Sequence, residues 1–303
     1  MKNILEGLLR GALAEASKVA YRRSWALFDS FRLIYNIPPQ LPLSVTNVAL
    51  FVAFLVSKGY KPATITSYMS ALGYVHKLQG MNDPTTSFVV LQLLKAYQKQ
   101  GREADTRLPI DKPLLGRLLT AVSLTVKGHY EQRLFQAMFT LAFHAFLRVG
   151  EITKRGQMAD NPHLLLMQQI QVFPDMLIIS FSSFKHSNGE AFQLRVRSTI
   201  KSDTCAVRAV QQYLLLRGRK HGPLFLDRSG NAVARADFDR VLRKAVIFNR
   251  IDPAHFKGHS FRIGAATAAA EAGIPDSQIR ELGRWKSDAF KKYIRAASRT
   301  STI

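Results

Sequence analysis

Acidic side chains are scarce in this sequence. Its 303 residues hold 21 Asp and Glu against 43 Lys and Arg, a formal charge of +22 at neutral pH. An excess of that size attracts polyanions, of which nucleic acid is the commonest. Cysteine is scarcer still. A lone Cys205 excludes an intrachain disulfide framework and any cysteine-based zinc cluster, and it points to a reduced, intracellular setting. Long apolar runs are absent too: VALFVAFLV (48–56) and MLII (176–179) are core-sized, well short of the ~18 residues of a membrane span. The N-terminus MKNILEGLLRGALAEA carries Glu6 and Glu15 and lacks a secretory apolar region. Because the basic surplus runs along the whole chain, with no block beside an apolar segment, a membrane surface is not the expected partner. Repeats and low-complexity tracts are also missing.

What remains is an ordinary globular composition, 47% hydrophobic and 21% charged, long enough for two domains. The first hundred residues read as helices. Ser17 is placed to cap SKVAYRRSWALFDSFRLIY, with Ala20, Trp25, Phe28, Phe31 and Leu33 on an apolar face and Lys18, Arg22, Arg23 and Arg32 on a basic one. PPQLP (38–42) ends that helix. Thr46 opens the next, closed by Gly59; two more follow at ATITSYMSALGYVHKL and SFVVLQLLKAYQKQG (87–101). The charged, aperiodic stretch GREADTRLPIDKP (101–113) reads as a linker, giving domains 1–103 and 113–303 with the linker at 104–112. Helices resume at LLGRLLTAV and EQRLFQAMFTLAFHAFLRVGEI. The period then changes: MLIISF and FQLRV alternate as strands, and Asn188-Gly189 between them is a strong hairpin signal. From TCAVRAVQQYLLLRG onward the pattern is helical again. The expected class is mainly α with a small β-sheet.

Chemistry-bearing residues concentrate in GHSFRIGAATAAAEAGIPDSQIRELGRWKSDAFKKYIR (258–295). His259 and Arg262 are three apart and share a helical face. The alanines that follow are small enough for another element to approach closely. Gly273 ends this helix, and Asp276 or Ser277 opens a second short one. Ser287 is placed to cap a last helix, DAFKKYIRAA, whose stripe Phe290, Tyr293, Ile294 and Ala297 makes Tyr293 either a core aromatic or a functional phenol. The hairpin folds Trp285 and Tyr293 back toward His259; a bare DNA-reading helix-turn-helix is the competing reading. Upstream, Arg148 ends an apolar helix and has Glu151 three residues on as a partner, a pair that in isolation reads equally as structural or functional. Lys185 lies in the expected hairpin, where a lysine is usually only a solvated edge residue.

Taken in order, Arg148 with Glu151, Lys185, His259-x-x-Arg262, Trp285 and Tyr293 resemble the tyrosine recombinase (phage-integrase-type) family. The wording LGRWKSDAFKKYIR is most similar to recombinases of eukaryotic Crypton-, Ngaro- and DIRS-type mobile elements. The resemblance spans nearly the whole chain. It implies a SAM-like helical core-binding domain followed by an α+β catalytic domain, together closing on double-stranded DNA as a clamp. It also implies a dimer to tetramer on DNA from a free monomer, and a nuclear location if the source is eukaryotic, otherwise cytoplasmic. No metal, cofactor, membrane or small-molecule substrate is implied.

By that resemblance Tyr293 is the nucleophile, forming a 3′-phosphotyrosyl link. A free phenol is only ~0.1% ionised at neutral pH, a cost of roughly 4 kcal/mol, and a site crowded with guanidiniums offsets energy of that order. Arg148 and Arg262 grip the non-bridging phosphate oxygens, since a guanidinium fork binds two at once. Lys185 protonates the leaving 5′-oxygen. His259 supports proton transfer, Trp285 is a donor and packing wall, and Glu151 holds Arg148. Arg284, next to Trp285, joins Lys18, Arg22, Arg23, Lys61 and Lys77 as candidate DNA contacts; Arg284 is nine residues before the tyrosine and competes with Trp285 for the family's second His/Trp position. Two alternatives stand beside this reading: a non-catalytic DNA-binding descendant, and a type IB topoisomerase.

Overall fold

The computed structural model describes residues 11–100, 105–154, 161–182, 191–199 and 202–295. It is mainly helical with one small sheet, in two compact units, Met1–Ala104 and Asp105–Ile303. No helix among the described residues is long and apolar enough to cross a membrane.

In the first unit the described helices are α1 Glu15–Ile34, α2 Val45–Ser57, α3 Pro62–Leu78 and α4 Phe88–Gln100. Ser44 caps α2 by accepting from the Asn47 amide, and Pro62 starts α3 at a position where its missing N–H costs nothing. Aromatic rings fill the centre: Phe28 and Phe31 pack on Phe51 at 5.0 and 5.2 Å. Each such buried ring is worth roughly 1.5–3 kcal/mol. The buried His76 holds the chain entering α2, its Nε2 accepting from the Leu43 amide at 2.9 Å while Nδ1 lies 2.8 Å from the Leu72 carbonyl. Helix α1 departs from expectation. It begins at Glu15, so Ser17 lies inside its first turn, with its amide already bonded to the Ala14 carbonyl; Ala20 and Leu33 are exposed, leaving Phe28 and Phe31 as the buried stripe.

The second unit opens with α5 Lys112–Thr125, capped by Asp111, which accepts from the Leu114 amide at 2.7 Å. Helix α6 His129–His144 follows, then the short α7 Val149–Ile152. The single helix expected over 131–152 is therefore two. The break lies at Phe146, whose φ of +50° turns the chain while the Leu147 amide bonds back to Ala142. Three antiparallel strands come next, β1 Ile170–Val172, β2 Met176–Phe181 and β3 Phe192–Arg197, in the order β1-β2-β3. Leu177 faces Val196 and Ile179 faces Leu194, placing one apolar face on the core. Strand β1 is too short to show a period in the sequence.

Helices α8 Ala206–Arg217, α9 Arg235–Phe248, α10 His259–Glu271 and α11 Asp276–Leu282 complete the unit, with a 3₁₀ turn over Asp288–Tyr293. Phe139 of α6 anchors the core between Phe238 and Phe261, at 5.2 and 5.0 Å. The described part of the expected linker is fixed to this unit. Leu108 and Ile110 donate their amides to the His255 and Ser260 carbonyls, and Ile110 is fully buried. This close approach requires Gly264, because a Cβ there would lie 1.8 Å from the Ile110 carbonyl oxygen.

Candidate active site

The site is assembled on α10. Its N-terminus sits against α7 so closely that a Cβ on Gly258 would meet the Val149 side chain at 2.9 Å. That contact brings the turn carrying Arg148 beside His259 and Arg262, the first and fourth residues of the helix. Gly273, at φ +73°, ends α10 with paired bonds from its own amide to Ala270 and from Ile274 to Ala269. The chain then reverses through α11 and returns.

Tyr293 comes back onto α10 and is held there twice. Its hydroxyl lies 2.8 Å from His259 Nε2, while its carbonyl accepts from Thr267 Oγ1, which in turn accepts the Arg295 amide at 3.1 Å. The expected α-helix over 288–297 is instead the six-residue 3₁₀ turn. Ser287 caps it as predicted, but Ile294 is extended (φ −78°, ψ 119°) and Ala297 lies outside the described residues. The Thr267 bonds explain the early stop: they take the carbonyl and the amide with which the helix would have continued.

Arg262 is fully buried. Its Nη1 donates to the Phe146 carbonyl and its Nη2 to Gly283, its Nε has no partner, and its guanidinium stacks 3.9 Å from the centre of the Trp285 ring. Burial, reinforced by the charges of Arg148 and Arg284, pushes its pKa well down from the ordinary arginine value. The terminal nitrogens expected to grip phosphate oxygens are thus held by backbone carbonyls. Trp285 lies 5.1 Å from the Tyr293 ring and 6.3 Å from Phe146.

Arg148 is the residue just before α7, and its pairing with Glu151 is direct: Nη1 donates to Oε1 at 3.2 Å, and the Arg148 amide donates to Oε2 at 2.8 Å. Glu151 has a second guanidinium on it. Arg284 Nη2 donates to Oε2 at 2.7 Å. This corrects the reading of Arg284 as a DNA contact, for its side chain has 0% exposure and lies over the Phe181 ring at 4.0 Å. The sequence hides this because a φ of +55° at Arg284 turns the side chain inward where a continuing helix would have faced it out.

His259 is half-buried, and burial first, then Arg107, Arg262 and Arg148, pull its pKa down to about 4. The imidazole is therefore neutral at physiological pH, and in the tautomer protonated at Nδ1 its Nε2 accepts the hydrogen bond of the phenol it touches. Arg107 was not anticipated. Its partner Asp105 accepts from Arg107 Nε at 2.7 Å and Nη2 at 3.0 Å, and also from Arg295 Nη2 at 2.7 Å. Chiefly the Arg107 bonds hold Asp105 down at about 2. The only signal in the sequence was opposite charge in a segment read as linker.

Lys185 lies outside the described residues, between the ends of β2 and β3. Lys18, Arg22, Arg23, Lys61 and Lys77 belong to the first unit; Arg22, Arg23, Lys61 and Lys77 are exposed. Lys18 pairs with Glu15, and Lys77 with the buried Asp83 at 3.1 Å. Among the described residues no three His, Cys, Asp or Glu come together as metal ligands.

The chain is similar to known proteins in sequence and in fold. Recombinase cre of Escherichia phage P1 is 22% identical over 293 residues, covering 90% of this chain and 81% of cre. Among solved structures, the Tn1549 transposon integrase (aa 82–397) in complex with circular intermediate DNA has a TM-score of 0.64 at 13% identity, covering 98% of this chain and 94% of that one. A lambda integrase (75–356) dimer bound to a COC′ core site gives 0.61 at 12% identity, covering 100% and 96%. These structures share the fold. Residues 118–299, more than half of the sequence and all of the site from Arg148 to Tyr293, match the phage integrase family, and the chain belongs to that family of tyrosine recombinases.

Proposed function

We propose that the protein cleaves and rejoins double-stranded DNA site-specifically through a 3′-phosphotyrosyl intermediate on Tyr293, without a metal ion. The observation that carries this reading is the 2.8 Å contact between the Tyr293 hydroxyl and a His259 imidazole kept neutral. In the forward step the phenol proton passes to His259 Nε2, the phenolate oxygen bonds to phosphorus, and the bond to the 5′-oxygen breaks. Lys185 supplies the proton to that leaving oxygen. Arg148, the more accessible guanidinium, binds the non-bridging oxygens, and Arg262 adds its positive field from a fixed seat under Trp285. These guanidiniums supply the cationic charge that a metal supplies elsewhere.

The finer assignment, to a recombinase of a eukaryotic Crypton-, Ngaro- or DIRS-type mobile element acting in the nucleus, rests on the wording LGRWKSDAFKKYIR. Assembly as a dimer to tetramer on DNA follows the family, in which the lambda integrase neighbour is a DNA-bound dimer. The test is a library of nicked duplexes with a randomised target, with covalent protein–DNA adducts recovered under denaturing conditions and sequenced. The wild type traps adduct at a defined site, with or without EDTA. Tyr293→Phe binds the same DNA and traps none. Adduct from Tyr293→Phe overturns the assignment of the nucleophile, and loss of adduct in EDTA overturns metal independence.

A further inference from the structure

The cluster holds one guanidinium more than the proposed reaction uses. Arg284 has a side chain with 0% exposure, and two of its nitrogens, Nε and Nη1, are buried without partners. Burying a charge so incompletely paired is costly. Its backbone is also in the left-handed region, at φ +55°, which a residue with a Cβ adopts at a cost. The preceding Gly283 is fitted just as closely, since a Cβ there would overlap the Trp285 ring at 1.5 Å. The 283–285 turn therefore sends three groups into the site, two to Arg262 and one to Glu151. The Gly283 carbonyl and the Trp285 ring hold Arg262; the Arg284 guanidinium reaches Glu151.

The distances around Glu151 are unequal. Arg284 bonds its carboxylate at 2.7 Å and Arg148 Nη1 at 3.2 Å, although Arg148 is the nearer residue in sequence. A carboxylate facing one arginine draws its fork into a two-bond pair. Here Oε2 is occupied by Arg284 and by the Arg148 amide, so Arg148 is tethered through a single nitrogen at Oε1. It keeps 20% side-chain exposure, against 0% for Arg284. Arg284 also lies over Phe181, the last residue of β2, which fixes its position from the sheet side.

We infer that Arg284 is a positioning residue for DNA cleavage: by occupying Glu151 Oε2 it keeps Arg148 oriented yet free to bind the scissile phosphate. This rests on the recombinase reading above. Arg284→Gln, which removes the charge, is expected to slow single-turnover cleavage at saturating DNA by about 10–100-fold with DNA affinity unchanged, and Arg284→Lys to recover part of the loss. Arg284→Gln combined with Glu151→Gln should be no slower than the worse single variant, because both act along one chain of contacts. Full activity of Arg284→Gln overturns the inference. So does an equal fall in cleavage, affinity and melting temperature, or additivity with Glu151→Gln. A crystal structure of Arg284→Gln reads the same inference without catalysis: Arg148 should close onto both carboxylate oxygens of Glu151, and an unmoved Arg148 overturns it. If the wild type traps no adduct the recombinase reading fails, and the crystal structure still decides whether Arg284 controls Arg148.

Discussion

Two arginine–carboxylate–arginine bridges flank the candidate active site, and they differ in burial more than in bonding. In Arg148–Glu151–Arg284 the carboxylate is 3% exposed and its contacts span 2.7 to 3.2 Å. In Arg107–Asp105–Arg295 the carboxylate is 38% exposed and its contacts also span 2.7 to 3.2 Å. Distance alone would rank them equal. In water the outer bridge exchanges good solvation for its bonds, so it contributes little net free energy. The inner bridge has given up its solvation already, so each member depends on the others to remain in place. One bridge lies inside the packed unit; the other joins residues near the two ends of that unit, Asp105 and Arg295.

The largest effect that separates the bridges is on stability. Glu151→Ala leaves Arg148, Arg262 and Arg284 without their shared counter-charge, and should destabilise the second unit by about 3–5 kcal/mol. The two tryptophans make this measurable, since Trp25 lies in the first unit and Trp285 in the second. In a Trp25→Phe background, urea unfolding followed by fluorescence reports the unit that holds Glu151. A loss below about 1 kcal/mol, the range of exposed pairs, would erase the distinction drawn between the bridges.

His259 stands within reach of both bridges, and its titration measures each. Its folded pKa of about 4 is below the unfolded value of about 6.5, so between those values the unfolded chain binds the proton that the folded one refuses. Stability of the second unit should accordingly fall as pH drops from about 6.5 toward 4, and His259→Gln should remove that part of the slope. Arg107 is the largest charge acting on the imidazole, ahead of Arg262 and Arg148. Arg107→Gln should therefore raise the His259 pKa, read by NMR titration, more than Arg148→Gln does. The reverse order would show that the buried bridge governs the imidazole. For cleavage, His259→Gln should cost about 100-fold or more, since it removes the proton acceptor, and the wild-type rate should show no acid limb near pH 6.5.

The residues that sequence reading located are those whose role follows from local pattern. Ser287 caps, Gly273 ends a helix, and the strands over 176–181 and 192–197 alternate, because capping, positive φ and pleating act within a few residues. His259, Arg262, Trp285 and Tyr293 were legible through their order, and the structure brings these four together. What stayed hidden depends on tertiary contacts or on single backbone angles. Phe146 at φ +50° splits a run that looks like one helix, and Arg284 at φ +55° turns a basic residue inward. Ile110 lies in a charged, proline-containing stretch, yet it is fully buried because Gly264 admits its backbone. Asp105 and Arg295 are 190 positions apart and share no pattern at all.

The smallest expected effect tests the outer bridge itself. Asp105→Asn keeps the shape of the side chain and removes its charge, releasing Arg107 and Arg295 from a common partner. Stability should change by less than about 1 kcal/mol. The informative variable is salt. An exposed pair is screened once the Debye length shrinks toward 3 Å near 1 M salt, whereas a buried pair is screened much less. The difference between wild type and Asp105→Asn should thus vanish between about 0.05 and 1 M salt, while that between wild type and Glu151→Ala persists. A salt-resistant Asp105→Asn penalty would mean that Asp105 is shielded despite its exposure, and that the segment beginning at residue 105 is clasped to Arg295 as firmly as Arg148 is to Glu151.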